Sequence, residues 1–108
     1  MPERILACDT ESTGISINDG HRLTEVAFIE VIDRQPTGRV FHHYVDPERE
    51  VPDQAVAVHG MNRDDLILAG GGKKFADIAE DMLSFIDGSP LIIHNANFDM
   101  KFFDHELN

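Results

Sequence analysis

The chain has little cysteine, little positive charge and no long apolar run. Its one cysteine, Cys8, can form no disulfide within the chain. Cys8 lies in the first apolar stretch, which reads as a buried, inert thiol in a reducing, cytoplasmic setting. Basic residues number 9 against 20 acidic ones, a formal charge of −11. Proteins that grip nucleic acid along a groove do so with Lys and Arg against phosphate. The charge balance therefore excludes a long basic groove, and the only adjacent basic pair is Lys73-Lys74. Any contact with nucleic acid is expected at one strand end, with metal ions supplying the positive charge. Apolar stretches such as residues 55–58 fall far short of a bilayer span, so no membrane partner is expected. No signal peptide precedes the first strand-like segment, and neither an internal repeat nor an interdomain linker is visible.

What is present suits one small domain: 108 residues, 42% of them hydrophobic. Residues 4–8 read as a short buried strand and 12–20 as a Gly-, Asn- and Ser-rich loop. Residues 23–33 carry Val26, Phe28, Ile29, Val31 and Ile32, a long strand. A turn at 35–38 and a strand at 39–45 complete an antiparallel meander. Residues 46–60 are irregular, with a short helical turn at 54–58. Another turn falls at 64–68, and Gly70-Gly71-Gly72 reads as a hinge. Phe75, Ile78, Ala79, Met82, Leu83 and Ile86 keep helical spacing, with Gly88 suited to the C-terminal cap. No capping side chain stands just before Phe75, so that helix starts weakly. Residues 90–93 read as a strand, and Asn97 as the cap of a helix carrying Phe98 and a core stripe of Phe102, Phe103 and Leu107. The order β-β-β-α-β-α implies an α/β mixed sheet with packed helices. The last residues, Glu106-Leu107-Asn108, stand in mid-helix, so 1–108 is expected to be a single domain incomplete at its C-terminus.

The richest stretch is Ile5-Leu6-Ala7-Cys8-Asp9-Thr10-Glu11-Ser12-Thr13-Gly14. An apolar strand ends in two carboxylates spaced i, i+2, which on a strand point the same way. Like charges side by side repel, and a divalent cation resolves the conflict. The pair alone fits either a metal site or a solvated acidic turn. His94-Asn95-Ala96-Asn97-Phe98-Asp99 leaves one strand and opens a helix. Asp99 there fits the positive end of the helix dipole, and alone needs no further role. If the two strands are parallel neighbours, Asp9, Glu11 and Asp99 gather at one edge of the sheet, where α/β proteins bind ligands.

Together these segments resemble the DEDD family of 3′→5′ exonucleases, most of all its epsilon-type branch of bacterial proofreading subunits. Asp9-Thr10-Glu11-Ser12-Thr13-Gly14 resembles the first family motif, and His94 to Asp99 the second. Val56-Ala57-Val58-His59-Gly60-Met61 resembles the VHG segment of the epsilon-type branch. The resemblance implies a ribonuclease H-like mixed sheet, a three-strand antiparallel meander plus a parallel strand, with flanking helices and here truncated. It implies two divalent metal ions, Mg²⁺ or Mn²⁺, ~3.5–4 Å apart. Asp9 would bridge both ions, Glu11 would bind the water-activating one and Asp99 the other. Thr13 and Gly14, through the backbone, would position the terminal nucleotide, with His59 and Phe98 beside it. Gln54 stands where the branch has a substrate-contacting Glu. The implied partners are a single-stranded DNA 3′ end and a polymerase catalytic subunit.

The family's third motif, a His and an Asp beyond the second motif, is absent from these residues. His105 follows Asp99 too closely to replace it. The expected function is therefore metal-dependent removal of nucleotides from DNA 3′ ends by an exodeoxyribonuclease fold, with the 108-residue chain inactive or weakly active. The alternative is a non-catalytic polymerase- or nucleotide-binding module. An uncovered sheet edge would also allow self-association.

Overall fold

A computed structural model describes residues 3–14, 17–93 and 96–107, with the side chains of all of these except residues 17 and 96–98. Strand β1 (Arg4–Ser12) leads through a 3-10 turn (Ile17–Asp19) to β2 (Leu23–Ile32) and β3 (Gln35–Tyr44). Three helices follow: α1 (Asp53–His59), α2 (Arg63–Gly70) and α3 (Phe75–Ile86). Strand β4 (Leu91–Ile93) and helix α4 (Ala96–Leu107) complete the fold. The sheet order is β3-β2-β1-β4. β1 pairs antiparallel with β2 and parallel with β4, so the expected mixed sheet is present. No described helix is long and apolar enough to cross a membrane.

Alternation along the strands builds the core. Leu6 and Cys8 of β1, Val26 and Phe28 of β2 and Phe41 of β3 face one side, where α3 and α4 cover them. Phe28, fully buried, lies with its ring centroid 6.2 Å from that of Phe41 and 6.0 Å from that of Phe103. Burying such a ring contributes about 1.5–3 kcal/mol. Phe75, Ile78 and Met82 of α3 and Phe102 of α4 close the layer. The opposite side is open. Val40, Ile29, Ala7 and Ile92 are consecutive partners across all four strands, and Val40, Ile29 and Ile92 are exposed.

Glu30 closes one end of the core. It is 3% exposed and accepts hydrogen bonds from Arg4 Nε at 2.5 Å, Thr37 Oγ1 at 2.7 Å and Arg39 Nη1 at 3.1 Å. Arg4 also donates to the Ile86 carbonyl at 3.1 Å and to Ser89 Oγ at 2.9 Å, which fastens the end of α3 to β1. The hydrogen bond from Arg4, and then that from Thr37, hold the Glu30 carboxyl below the usual carboxylate range.

Several local expectations change. The β2–β3 turn is Asp33-Arg34, both at positive φ (52° and 64°), and not residues 35–38. Gln35 and Pro36 already pair with Ile32 and Val31. A proline is tolerated there because β3 is an edge strand, and Gly38 at φ 91° lies in the irregular stretch that follows. Helix α2 is a full element because Asn62 and Asp65 form a reciprocal capping box. Helix α3 is capped from within, since Asp77 accepts from the Lys74 N–H at 2.9 Å. Its C-terminal cap is Asp87 at φ 44°, with Gly88 one residue later. Asn97 lies inside the first turn of α4 and not before it. Leu83 and Leu107, read as core from spacing, are 51% and 43% exposed.

Candidate active site

β1 continues as strand to Ser12, beyond the expected end at Cys8. Asp9 and Glu11 therefore share one face, the open one, opposite Ala27 and Glu25 of β2. Asp9 is exposed and Glu11 half-buried. Asp99, 7% exposed, enters from the first turn of α4, immediately after β4. The condition stated for the gathering of these three carboxylates is met, because β1 and β4 are parallel neighbours.

The charges at this end of the sheet act on one another. The Glu11 carboxyl is raised above its ordinary value, first by burial and then by the charge of Asp9, with Glu25 and Asp99 adding to it. His59 works the other way. The Cys8 thiol is pushed up to about 12, first by burial and then by Asp99 and Asp9, which makes it unreactive. Among the described residues no ion pair joins Asp9 or Glu11 to a lysine or arginine. Glu25 is engaged differently: its carboxylate lies 2.5 Å from His42 Nε2, and its charge raises the Tyr44 hydroxyl.

A cleft of about 640 Å³ opens beside Glu11. Ser12, Thr13 and Gly14 form one wall, and α1 supplies the other with Gln54 and His59. Of the residues named from sequence as nucleotide contacts, Thr13, Gly14, Gln54 and His59 thus share one cleft. The side chain of Phe98, and all of His94 and Asn95, lie outside the described residues. Thr13 is buried, and its groups are used internally. Its N–H donates to the Arg22 carbonyl at 2.8 Å, and its Oγ1 accepts from the Arg22 N–H at 3.0 Å and meets His21 Nδ1 at 2.9 Å. Gly14 has a steric reason to lack a side chain, because a Cβ there would overlap the His21 ring. His59 Nε2 is shielded from solvent and meets no hydrogen-bond partner among the described residues.

Asp19, His21, Ala55 and Val58 also line the cleft and were not picked out from sequence. No linear signal marks them, since they meet only when α1 folds over the end of β1.

The donor chemistry suits a hard divalent cation: carboxylate oxygens, mutually repelling, with Glu11 held above its ordinary value by its neighbours. Among the described residues, however, no three acidic, histidine or cysteine side chains are close enough together to hold an ion.

The sequence model of the Exonuclease family (RNase_T) matches residues 6–108. The chain belongs to the exonuclease family. Its relatives include epsilon subunits of DNA polymerase III. DNA polymerase III subunit epsilon of Rickettsia conorii is 45% identical over 105 residues, covering 97% of this chain and 44% of that protein. The Escherichia coli subunit is 38% identical over 109 residues, with 97% and 44% covered. The chain thus spans less than half the length of these relatives. Among solved structures, exonuclease I from Methylocaldum szegediense superposes with a TM-score of 0.81 at 17% identity, over 97% of this chain and 23% of that one. Escherichia coli exonuclease I in complex with a 5cy-dT13 oligonucleotide gives 0.76 at 19%, over 94% and 23%. The fold of this exonuclease-family chain is accordingly the ribonuclease H-like one. None of these comparisons supports the expected self-association through the sheet edge.

Proposed function

We propose that this chain is the motif-one and motif-two part of a proofreading exonuclease that removes nucleotides from single-stranded DNA 3′ ends in a metal-dependent reaction. The supporting observation is a cleft lined by Glu11, Thr13, Gly14, Gln54 and His59, with Asp9 on the same face of β1 as Glu11. The relatives named as polymerase III subunits support a polymerase catalytic subunit as partner and a cytoplasmic setting.

By the family resemblance, Asp9, Glu11 and Asp99 are the residues that would hold two divalent ions, Mg²⁺ or Mn²⁺, although in the described structure they do not converge closely enough to do so. Such ions, when bound, would supply charge stabilisation for hydrolysis of the terminal phosphodiester. The chain's own residues do the rest. The cleft takes the terminal nucleotide. His59 Nε2, without a partner in the described structure, offers the terminal nucleotide a hydrogen bond, and Gln54 lies beside it. The family's general base and fourth carboxylate are not among these 108 residues. A general base contributes about 10²–10⁴-fold to rate, so residues 1–108 alone are weakly active at most.

The test is cleavage of a 3′-labelled single-stranded oligonucleotide with Mn²⁺, run beside Asp9→Ala. Weak cleavage lost in Asp9→Ala supports the reading. Cleavage that persists in Asp9→Ala sinks it. No cleavage by either protein, with oligonucleotide binding retained, favours the non-catalytic binding module.

A further inference from the structure

We propose that His21 is a further substrate-binding residue, whose Nε2–H donates to an uncharged oxygen of the 3′-terminal nucleoside held in the cleft. The inference rests on the reading of that cleft as the place of the terminal nucleotide, and adds which donor meets it and which part of the nucleotide is met.

The backbone puts the ring there. Gly20, at φ 77°, turns the chain just before His21. Arg22 is then bonded to Thr13 in both directions. Its N–H donates to Thr13 Oγ1 at 3.0 Å, and its carbonyl accepts from the Thr13 N–H at 2.8 Å. His21, one residue earlier, lines the cleft with its Nε2 edge against Gly14, where a Cβ would overlap the ring. Thr13 fixes the tautomer. Its Oγ1 lies 2.9 Å from His21 Nδ1. Thr13 is 1% exposed, so its hydroxyl proton needs a partner within the protein. Oγ1 already accepts from Arg22, and among the described residues Nδ1 is the other group bonded to it. The hydroxyl therefore donates to Nδ1, and the neutral imidazole carries its proton on Nε2. That N–H meets no partner among the described residues.

Charge selects the part of the nucleotide that it meets. The described lining of the cleft holds Glu11 and Asp19 and no lysine or arginine. A phosphate there would face two carboxylates with no fixed positive charge to offset them. Ala55 and Val58 of α1 add an apolar wall. A neutral donor beside apolar surface matches a sugar and base, whose oxygens accept hydrogen bonds without bringing charge.

The probe is thymidine, titrated into the ¹⁵N-labelled 108-residue chain in EDTA, where neither cleavage nor a cation contributes. Long-range ¹H–¹⁵N spectra should show His21 protonated on Nε2 and bare on Nδ1, and thymidine should shift the Nε2 signal. Two variants separate contact from support. His21→Asn keeps an acceptor where Nδ1 stands and has no donor where Nε2 stands. Its Kd for thymidine should rise about three- to ten-fold, the scale of one neutral hydrogen bond, with Tm near that of the wild type. His21→Gln keeps an amide donor near the Nε2 position and loses the bond to Thr13. It should lower Tm and yet bind thymidine within about two-fold of the wild type, since the donor is retained. The reverse order, with His21→Asn binding normally and His21→Gln weakly, overturns the proposal, because the ring then only supports Thr13. A proton on Nδ1 alone, or a thymidine complex that leaves the Nε2 signal unmoved, overturns it without any variant. Displacement of thymidine by inorganic phosphate overturns the choice of an uncharged oxygen. A wild type that binds no thymidine overturns the reading of the cleft itself, and that failure is recognised before any variant is made.

Discussion

Replacing Asp9 with asparagine should make the metal-free protein more stable and the protein in Mn²⁺ less responsive. Side chains at i and i+2 of a strand are separated by about 6.8 Å. Two unit charges at that distance repel by about 0.6 kcal/mol in water and about 2.4 kcal/mol at an effective dielectric of 20. Asp9 is exposed and Glu11 half-buried, so the screened value lies near the lower figure, about 0.5–1 kcal/mol. The neutral amide keeps the shape and removes the repulsion. In EDTA, Asp9→Asn should raise Tm by about 2–6 °C, the scale for a domain of this size. Mn²⁺ at a hundredfold excess over its dissociation constant stabilises the wild type by about 2.7 kcal/mol, which is a Tm rise of about 10 °C or more. The variant should lose most of that rise. Thermal unfolding followed by far-UV circular dichroism, with and without Mn²⁺, reads both effects. A lower Tm for Asp9→Asn in EDTA refutes the repulsion argument, and an undiminished Mn²⁺ response refutes the ligand assignment.

Other consequences are more local. The carboxyls of Asp46, bonded first by Arg63, and of Glu30, bonded first by Arg4, are both held below their ordinary values. Their contribution is present above the unfolded carboxylate range and is lost as pH falls through the folded values. Stability should therefore drop below about pH 4, and Asp46→Asn with Glu30→Gln should flatten that acid limb in a pH series of urea titrations. Phe28→Ala should cost about 3–5 kcal/mol in the same titration at neutral pH, because the ring is fully buried between two others. Gly14→Ala should displace the His21 ring, weakening oligonucleotide binding with a smaller loss of stability, about 1 kcal/mol. Cys8 in the folded protein should react with a thiol reagent far more slowly than in urea, since its pKa is pushed up to about 12. Equal rates would show that the thiol is not enclosed.

The legible parts of this chain are those governed by near neighbours. The spacing of Phe75, Ile78 and Met82 led to the bounds of α3, because a helix buries every third or fourth residue whatever it packs on. The alternation around Phe28 placed β2 correctly. Turn chemistry was less legible. Gln-Pro-Thr-Gly at 35–38 carries stronger turn residues than Asp33-Arg34, yet pairing across the sheet put the turn at the latter and left Pro36 on an edge. Helix α2 was under-read because its capping box lies before the apolar positions that draw attention. Leu83 and Leu107 show the limit of periodicity: it tells which face a residue is on, and not whether anything covers that face.

The sequence by itself determined that Asp9 and Glu11 share a side, since strand geometry puts i and i+2 together without help from the rest of the chain. It also determined, through the motifs, which family the chain belongs to. Tertiary structure alone decided which acids remain available there. Glu30, Asp46 and Glu106 are taken by arginines 26, 17 and 84 residues away, and Glu25 by a histidine 17 residues away. Asp9 and Glu11 stand at the end of β1 beside a cleft that α1 completes. Charge is written locally, but its neutralisation depends on contacts between distant segments, and those exist only once the sheet has brought its strands and helices together.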